Sequence, residues 1–230
     1  MATVVFQHPA TRTSAFERWW QCQGTWVEPP NQRRDGESGV QRLLPRNPSH
    51  PLLYSKRQIG HLYRSLRYPL GRPTILRELN AYQAFARLGI RVPKLIYGST
   101  RKHEGQWQAL LITQALTGFV SLEQWYQQPQ GAERTRCMLA ELGNTLARLH
   151  QGRWQHGCCY AKHVFIRIED DETASPRTAI ALLDLEKSRR RWRTADASRH
   201  DMRQLKRHCG AMPEEDWQLL MWAYKTALDD

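Results

Sequence analysis

A lysine, two carboxylates and a pair of histidines stand in this 230-residue chain in an order suited to phosphoryl transfer. That chemistry needs a cation on the nucleotide phosphates, a carboxylate to hold magnesium and a group to orient the acceptor hydroxyl. Lys56 closes the apolar run PLLYSKRQI, and Glu78 lies on the helical stretch that follows. Such a Lys–Glu pair would fix the ammonium for the α- and β-phosphates, although either residue alone reads as an ordinary surface charge. Asp184 follows the apolar stretch AIALL. A carboxylate closing a buried strand is costly without a cation or hydrogen bonds; a turn or cap is the plainer reading. Between these groups, WQHGCCYAKH carries His156 and, seven residues on, His163.

A protein-kinase catalytic loop has the pattern H-R-D-L-x-x-x-N. Aligned on His156, its Asp and Asn positions hold Cys158 and His163, and Asp184-Leu185-Glu186 stands where such enzymes have D-F-G. Cys158 has two further readings: a plain buried thiol, or a nucleophile partnered by His156 or His163. Gly36 and Gly39 are expected in a turn between the first two strands, where backbone amides could close over phosphates or the glycines could simply serve the turn.

The elements that must position these residues are legible from periodicity and breakers. Residues 1–15 read as a loose arm, and Phe16–Cys22 as a short helix. Thr25–Glu28 reads as a strand closed by Pro29-Pro30, then a polar turn, the strand VQRLL, and the strand that Lys56 ends. A helix is predicted over Thr74–Leu88, with the stripe Ile75, Leu79, Tyr82, Phe85, Ala86 and Leu88. VPKLIYGS and QWQALLITQAL read as strands, and Ser121 as the cap of a short helix. The strongest helix spans Ala132–His150, with Met138, Leu139, Leu142, Leu146 and Leu149 on one face. The strand VFIRI, an acidic turn and AIALL follow, then helices over Ala197–Cys209 and Pro213–Leu228. Strands first and helices later indicate an α+β protein with two lobes.

The net charge is +12, densest in KSRRRWR at residues 187–193, so an anionic partner is expected: nucleotide phosphate, lipid head group or nucleic acid. No zinc, helix-turn-helix or RNA-binding motif is visible, which disfavours nucleic acid. The five cysteines contain no C-x-x-C pair and fit a reducing cytoplasm. No apolar run reaches the ~18 residues of a membrane span, and the N-terminal residues do not read as a signal peptide. Several of the nine tryptophans sit in amphipathic stretches (Trp19, Trp20, Trp217 and Trp222), and most are expected in the core or between lobes.

Taken together, GESGVQRL, the stretch from LLYSKRQIGHLYRSLRYPL to ILRELNA, VPKLIYG, LARLH, WQHGCCYAKHVFI and LLDLEKSRRR resemble the lipopolysaccharide core kinase family (Kdo/WaaP kinases), most of all its InaA branch, over roughly residues 21–224. The resemblance implies a eukaryotic-protein-kinase-like fold: a small β-rich N-lobe over residues 16–114, a mainly helical C-lobe over 115–230, and ATP with Mg2+ between them. It implies Lys56 on the phosphates, Glu78 as its partner, Asp184 and His163 at the metal, a hinge near Gln114–Leu116, and Asp201 bracing the catalytic loop. It also implies transfer to a heptose or Kdo sugar of the inner core, in the cytoplasm at the inner face of the inner membrane. The departure is Cys158, where active members have the catalytic Asp. A thiol, with an ordinary pKa of about 8.5, is mostly neutral at pH 7. Transfer is therefore expected to be weakened, with Glu186 a conceivable substitute. Three functions follow: a sugar kinase, a kinase-like ATP-binding protein with little transfer in an envelope or acid-stress role, or a basic nucleic-acid binder.

Overall fold

The computed structural model describes residues 14–33, 36–45, 47–169 and 177–229; the expected arm therefore lies outside the described residues except at its end. There Ser14 caps α1 (Ala15–Gln21) by accepting from the Glu17 amide. β1 (Thr25–Arg33), β2 (Gly36–Leu43) and β3 (Leu53–Ile59) follow. A separate hairpin of β4 (Leu62–Ser65) and β5 (Tyr68–Pro73) leads into α2 (Thr74–Arg87), then β6 (Leu95–His103) and β7 (Gln106–Gln114). The five long strands form one antiparallel sheet in the order β1-β2-β3-β7-β6.

Two expectations fail here for physical reasons. β1 does not stop at Pro29-Pro30 but runs through them. It is an edge strand, with register shifts after Trp26 and after Glu28. Proline's missing N–H is tolerated at such a site. Lys56 does not end β3 but sits at its middle, between Val40 on β2 and Leu111 on β7.

β7 is buried on both faces. Leu110 and Ile112 join Phe16 of α1, with Trp19, Trp20 and Tyr97 packed around them. Ala109 and Leu111 join the main core with Ile75 and Phe85 of α2. This period of two explains the unbroken apolar run. On α2, the expected Ala86 is exposed and Ala81 and Ala84 are buried instead, so the inward face takes in Glu78.

The second half comprises β8 (Val120–Ser121), α3 (Leu122–Trp125), α4 (Ala132–Gln151), β9 (Trp154–Gln155), β10 (Val164–Glu169), β11 (Arg177–Leu182), β12 (Arg189–Arg190), α5 (Thr194–Arg207) and α6 (Glu214–Asp229). Ser121 and Gln124 form a capping box at α3. β10 pairs with β11 and β8, and β12 pairs with β9. The α4 stripe is buried as expected, and α4 packs against α6. The main cluster runs from α2 and β7 through Leu142, Leu182 and Leu185 to Leu220, so one core joins the sheet-bearing half to the helical half. Trp19, Trp20 and Trp217 pack against core clusters. Trp222 is 70% exposed, contrary to expectation, because it lies on the outer side of α6. The architecture is α+β, a sheet followed by helices.

Candidate active site

Lys56 points from the centre of β3 into a cluster of carboxylates. Its Nζ lies 2.9 Å from Glu78 Oε2 on α2, 2.8 Å from Glu186 Oε2 and 3.9 Å from Asp184 Oδ1. Glu186 belongs to a 3₁₀ turn over Leu185–Lys187 that packs against α2. It also lies 3.1 Å from His61 Nε2 and accepts from Gln58 Nε2 at 3.2 Å. Gln58 is held in turn by Thr74 and Ser38. Burial alone would raise the Glu186 carboxyl, yet the His61 hydrogen bond and the Lys56 ammonium hold it well below the usual range. Burial works against the Lys56 ammonium too, but Glu78, Glu186 and Asp184 raise its pKa well above normal. Burial pushes the Glu78 carboxyl up.

Asp184 begins the same turn with φ +61°, in the left-handed region. That conformation is uncommon outside glycine, and Asp is among the residues that tolerate it. Here it leaves the carboxylate partly exposed between Lys56 and His163, whose Nε2 is 3.9 Å from Asp184 Oδ2. His163 Nδ1 lies 2.9 Å from the Cys158 carbonyl. A carbonyl only accepts, so Nδ1 carries the proton, and in the neutral ring Nε2 has its lone pair free to serve as a ligand.

Asp201 of α5 organises the loop between β9 and β10. Its fully buried carboxylate accepts the backbone amides of His156 at 2.5 Å and Gly157 at 2.9 Å, with His150 and His200 at 3.3 and 3.2 Å. Burial opposes the charge, but these bonds hold Asp201 well below the ordinary aspartate range. The bracing role expected of Asp201 is thus present in the geometry. His156 is fully buried, and burial lowers its pKa. Its Nδ1 accepts the Cys158 amide at 3.2 Å, and Ser188 donates to its carbonyl at 2.9 Å. Gly157 has φ +83°, and a Cβ there would meet the Lys187 carbonyl at 2.5 Å. Glycine therefore permits the loop to touch the turn carrying Glu186.

Cys158 is 3% exposed. Burial, then the Asp184 charge, pushes its thiol up to about 11, and the Lys187 ammonium offsets only part of this. At neutral pH it is a protonated thiol, unsuited to act as general base or as thiolate nucleophile. The two imidazoles suggested as its partners are engaged by its own backbone instead.

Other expected residues fall elsewhere. Gly36 and Gly39 lie inside β2 and not in the turn; residues 34 and 35 lie outside the described residues. A Cβ on Gly36 would meet the His61 backbone at 2.7 Å, and one on Gly39 the Trp26 ring at 2.8 Å. Close packing accounts for both glycines. Gln114 ends β7, its amide bonded to Lys94 O, and the Leu116 carbonyl closes a turn with Phe119 N. Gln58 and His61 were not anticipated. Gln58 shares a face of β3 with Lys56, a period-two signal that was available in the sequence.

The arrangement fits a nucleotide with magnesium. One ammonium faces three carboxylates, an excess of negative charge that a divalent cation would balance. Among the described residues no group of three or more His, Cys, Asp or Glu is set to hold a metal alone. That suits magnesium, which commonly takes one or two carboxylates and completes its shell with phosphates and water.

A cation clamped by a buried carboxylate, opposite an aspartate in the left-handed region, is an arrangement compatible with phosphate handling of the kinase type. The chain belongs to the lipopolysaccharide kinase (Kdo/WaaP) family, whose model matches residues 17–224. It falls in the InaA branch. Protein InaA of Escherichia coli (strain K12) is 42% identical over 207 residues, covering 88% of this chain and 92% of that relative.

Proposed function

We propose that this protein is an ATP-dependent kinase with a two-lobed, protein-kinase-like fold. The proposed acceptor is a heptose or Kdo sugar of the lipopolysaccharide inner core. Its place would be the cytoplasm, in peripheral contact with the inner face of the inner membrane. The observation that carries this reading is the Lys56–Glu78 pair at 2.9 Å set against Asp184. In it Lys56 binds the nucleotide phosphates, Glu78 fixes the ammonium, and Asp184 with His163 Nε2 holds Mg2+. Gln114–Leu116 borders the adenine, and the β2 backbone at Gly36 and Gly39 lies toward the phosphates. Bound magnesium would neutralise charge on the phosphoryl group in transfer. The membership of a lipopolysaccharide kinase family supports a core saccharide as acceptor.

Cys158 favours a second reading, a kinase-like ATP-binding protein with little transfer and an envelope or acid-stress role. A general base typically contributes ~10²–10⁴-fold, and a thiol with a pKa near 11 does not supply one at pH 7. One experiment separates the readings. ATP with Mg2+ is titrated in a thermal-shift assay on the wild type and on Asp184→Ala, and labelled phosphate transfer to a core oligosaccharide is followed in parallel. A shift lost in Asp184→Ala, with transfer, supports the kinase. A shift without transfer supports the binding protein, and no shift in the wild type overturns both.

A further inference from the structure

The β4–β5 hairpin stands between β3 and α2, yet no part of the proposed phosphate chemistry uses it. It places Leu66, at its tip, and Leu70, within β5, in solvent, at relative exposures of 105% and 91%. The stem is braced by its own side chains. Tyr63 and Tyr68 meet edge to face at 6.3 Å. Arg72 lies over the Tyr68 ring at 4.7 Å and donates to its hydroxyl at 2.8 Å. Arg77 lies over Tyr63 at 4.6 Å. From Leu62 to Arg77 the sequence holds Arg64, Arg67, Arg72 and Arg77 and no carboxylate.

A second basic segment follows the 3₁₀ turn. Residues 187–193 carry Lys187, Arg189, Arg190, Arg191 and Arg193, again with no carboxylate. Burial, then the guanidiniums of Arg191 and of Arg77 on α2, push Arg189 below the usual arginine range. Trp192, three residues on, is 92% exposed. No helix among the described residues is long and apolar enough to cross a membrane.

We infer that the β4–β5 hairpin is a membrane-docking element. Leu66 and Leu70 enter the acyl boundary of a bilayer, while the hairpin arginines and the 187–193 segment bind anionic phospholipid head groups. Exposed leucines on a hairpin whose tyrosines carry stacked arginines match the layered polarity of a bilayer interface. A nucleic acid would use the arginines and leave the leucines in water. An anionic bilayer rewards apolar insertion and positive charge together. The inference rests on the peripheral-membrane part of the reading above and not on phosphoryl transfer.

The test is co-sedimentation of the full chain with vesicles of phosphatidylcholine alone and of phosphatidylcholine mixed with phosphatidylglycerol. The wild type should bind the mixed vesicles and be released by salt. Leu66→Ser combined with Leu70→Ser should lower the partition at least about tenfold, with unchanged Tm and unchanged ATP-induced shift, since both side chains are in water. Arg64→Ala and Arg67→Ala should each cost about fivefold on mixed vesicles and little on phosphatidylcholine. If the wild type binds neither vesicle, the membrane reading itself falls. If it binds and the leucine pair binds equally well, the hairpin assignment alone falls. Retention on duplex DNA that depends on the arginines and ignores the leucines overturns the inference in favour of nucleic acid. A concentration-dependent dimer abolished by the leucine pair does so in favour of a second copy.

Discussion

Converting Glu78 and Glu186 to glutamine, singly and together, separates the two supports of Lys56. In the native arrangement the ammonium has one carboxylate at 2.9 Å and another at 2.8 Å, while Asp184 stands off at 3.9 Å. Removing either near charge leaves the other in hydrogen-bond contact and relieves repulsion among the carboxylates. Each single variant should therefore cost about 1 kcal/mol or less. The double variant leaves a mostly buried ammonium without a carboxylate in contact, at a cost of about 3–5 kcal/mol. Non-additivity of at least ~1 kcal/mol follows. Urea unfolding of the four proteins measures it, and costs that add to within ~0.5 kcal/mol would refute the shared-support reasoning. The same proteins should diverge in nucleotide binding. Glu186→Gln removes a carboxylate that competes with phosphate for Lys56 and should tighten ATP binding about tenfold, or ~1.4 kcal/mol. Glu78→Gln leaves Lys56 drawn to Glu186 and should weaken it. Equal effects of the two substitutions would show that Glu186 supports the nucleotide and does not compete with it.

Two further outcomes are expected. The Asp201 carboxylate is held below its ordinary value, so its contribution is complete above the unfolded aspartate pKa of about 4 and is lost as pH falls through the depressed folded value. Asp201→Asn should flatten that acid limb in a melting-temperature profile and lower stability at pH 7, and a profile parallel to the wild type would contradict the assignment. Cys158→Asp restores a carboxylate at the loop and should raise phosphate transfer by about 10²–10⁴-fold with ATP binding little changed. A folded variant with no gain would show that a missing base is not what limits transfer.

Much of the site could be read from residue order, because its parts lie on elements with strong local signals. Lys56, Glu78 and Asp184 each sit beside an apolar run whose period names the element, and the structure brings all three together. The stripe of α4 was equally plain. What escaped reading depends on neighbours distant in sequence. Pro29 and Pro30 look like a stop until β1 is seen to be an edge strand. Gly36 and Gly39 look like turn residues until their close approach to His61 and Trp26 is known. Glu186 reaches Lys56 across 130 positions of sequence, which no local pattern encodes. The β4–β5 hairpin lacks alternation because its outer residues face solvent on both sides of the tip.

The charges at the site also bear on which group could act as a base beside Cys158. Glu186 suggests itself as a substitute for a base at Cys158, because its charge reaches that thiol. Its two oxygens, however, are already taken up by Lys56, His61 and Gln58, and a carboxylate so stabilised has a depressed pKa and little basicity. His163 has Nδ1 committed to the Cys158 carbonyl and faces Asp184 with the other nitrogen. On the proposed reading Lys56, Glu78 and Asp184 would serve nucleotide binding and Asp201 holds the loop, whereas position 158, where a base is expected, holds a buried, protonated thiol. In a transition state stabilised chiefly by positioning and electrostatics, such a site slows transfer more than it weakens binding. Under the proposed function, Cys158 would therefore limit turnover, while the carboxylates around Lys56 would govern whether the nucleotide is held.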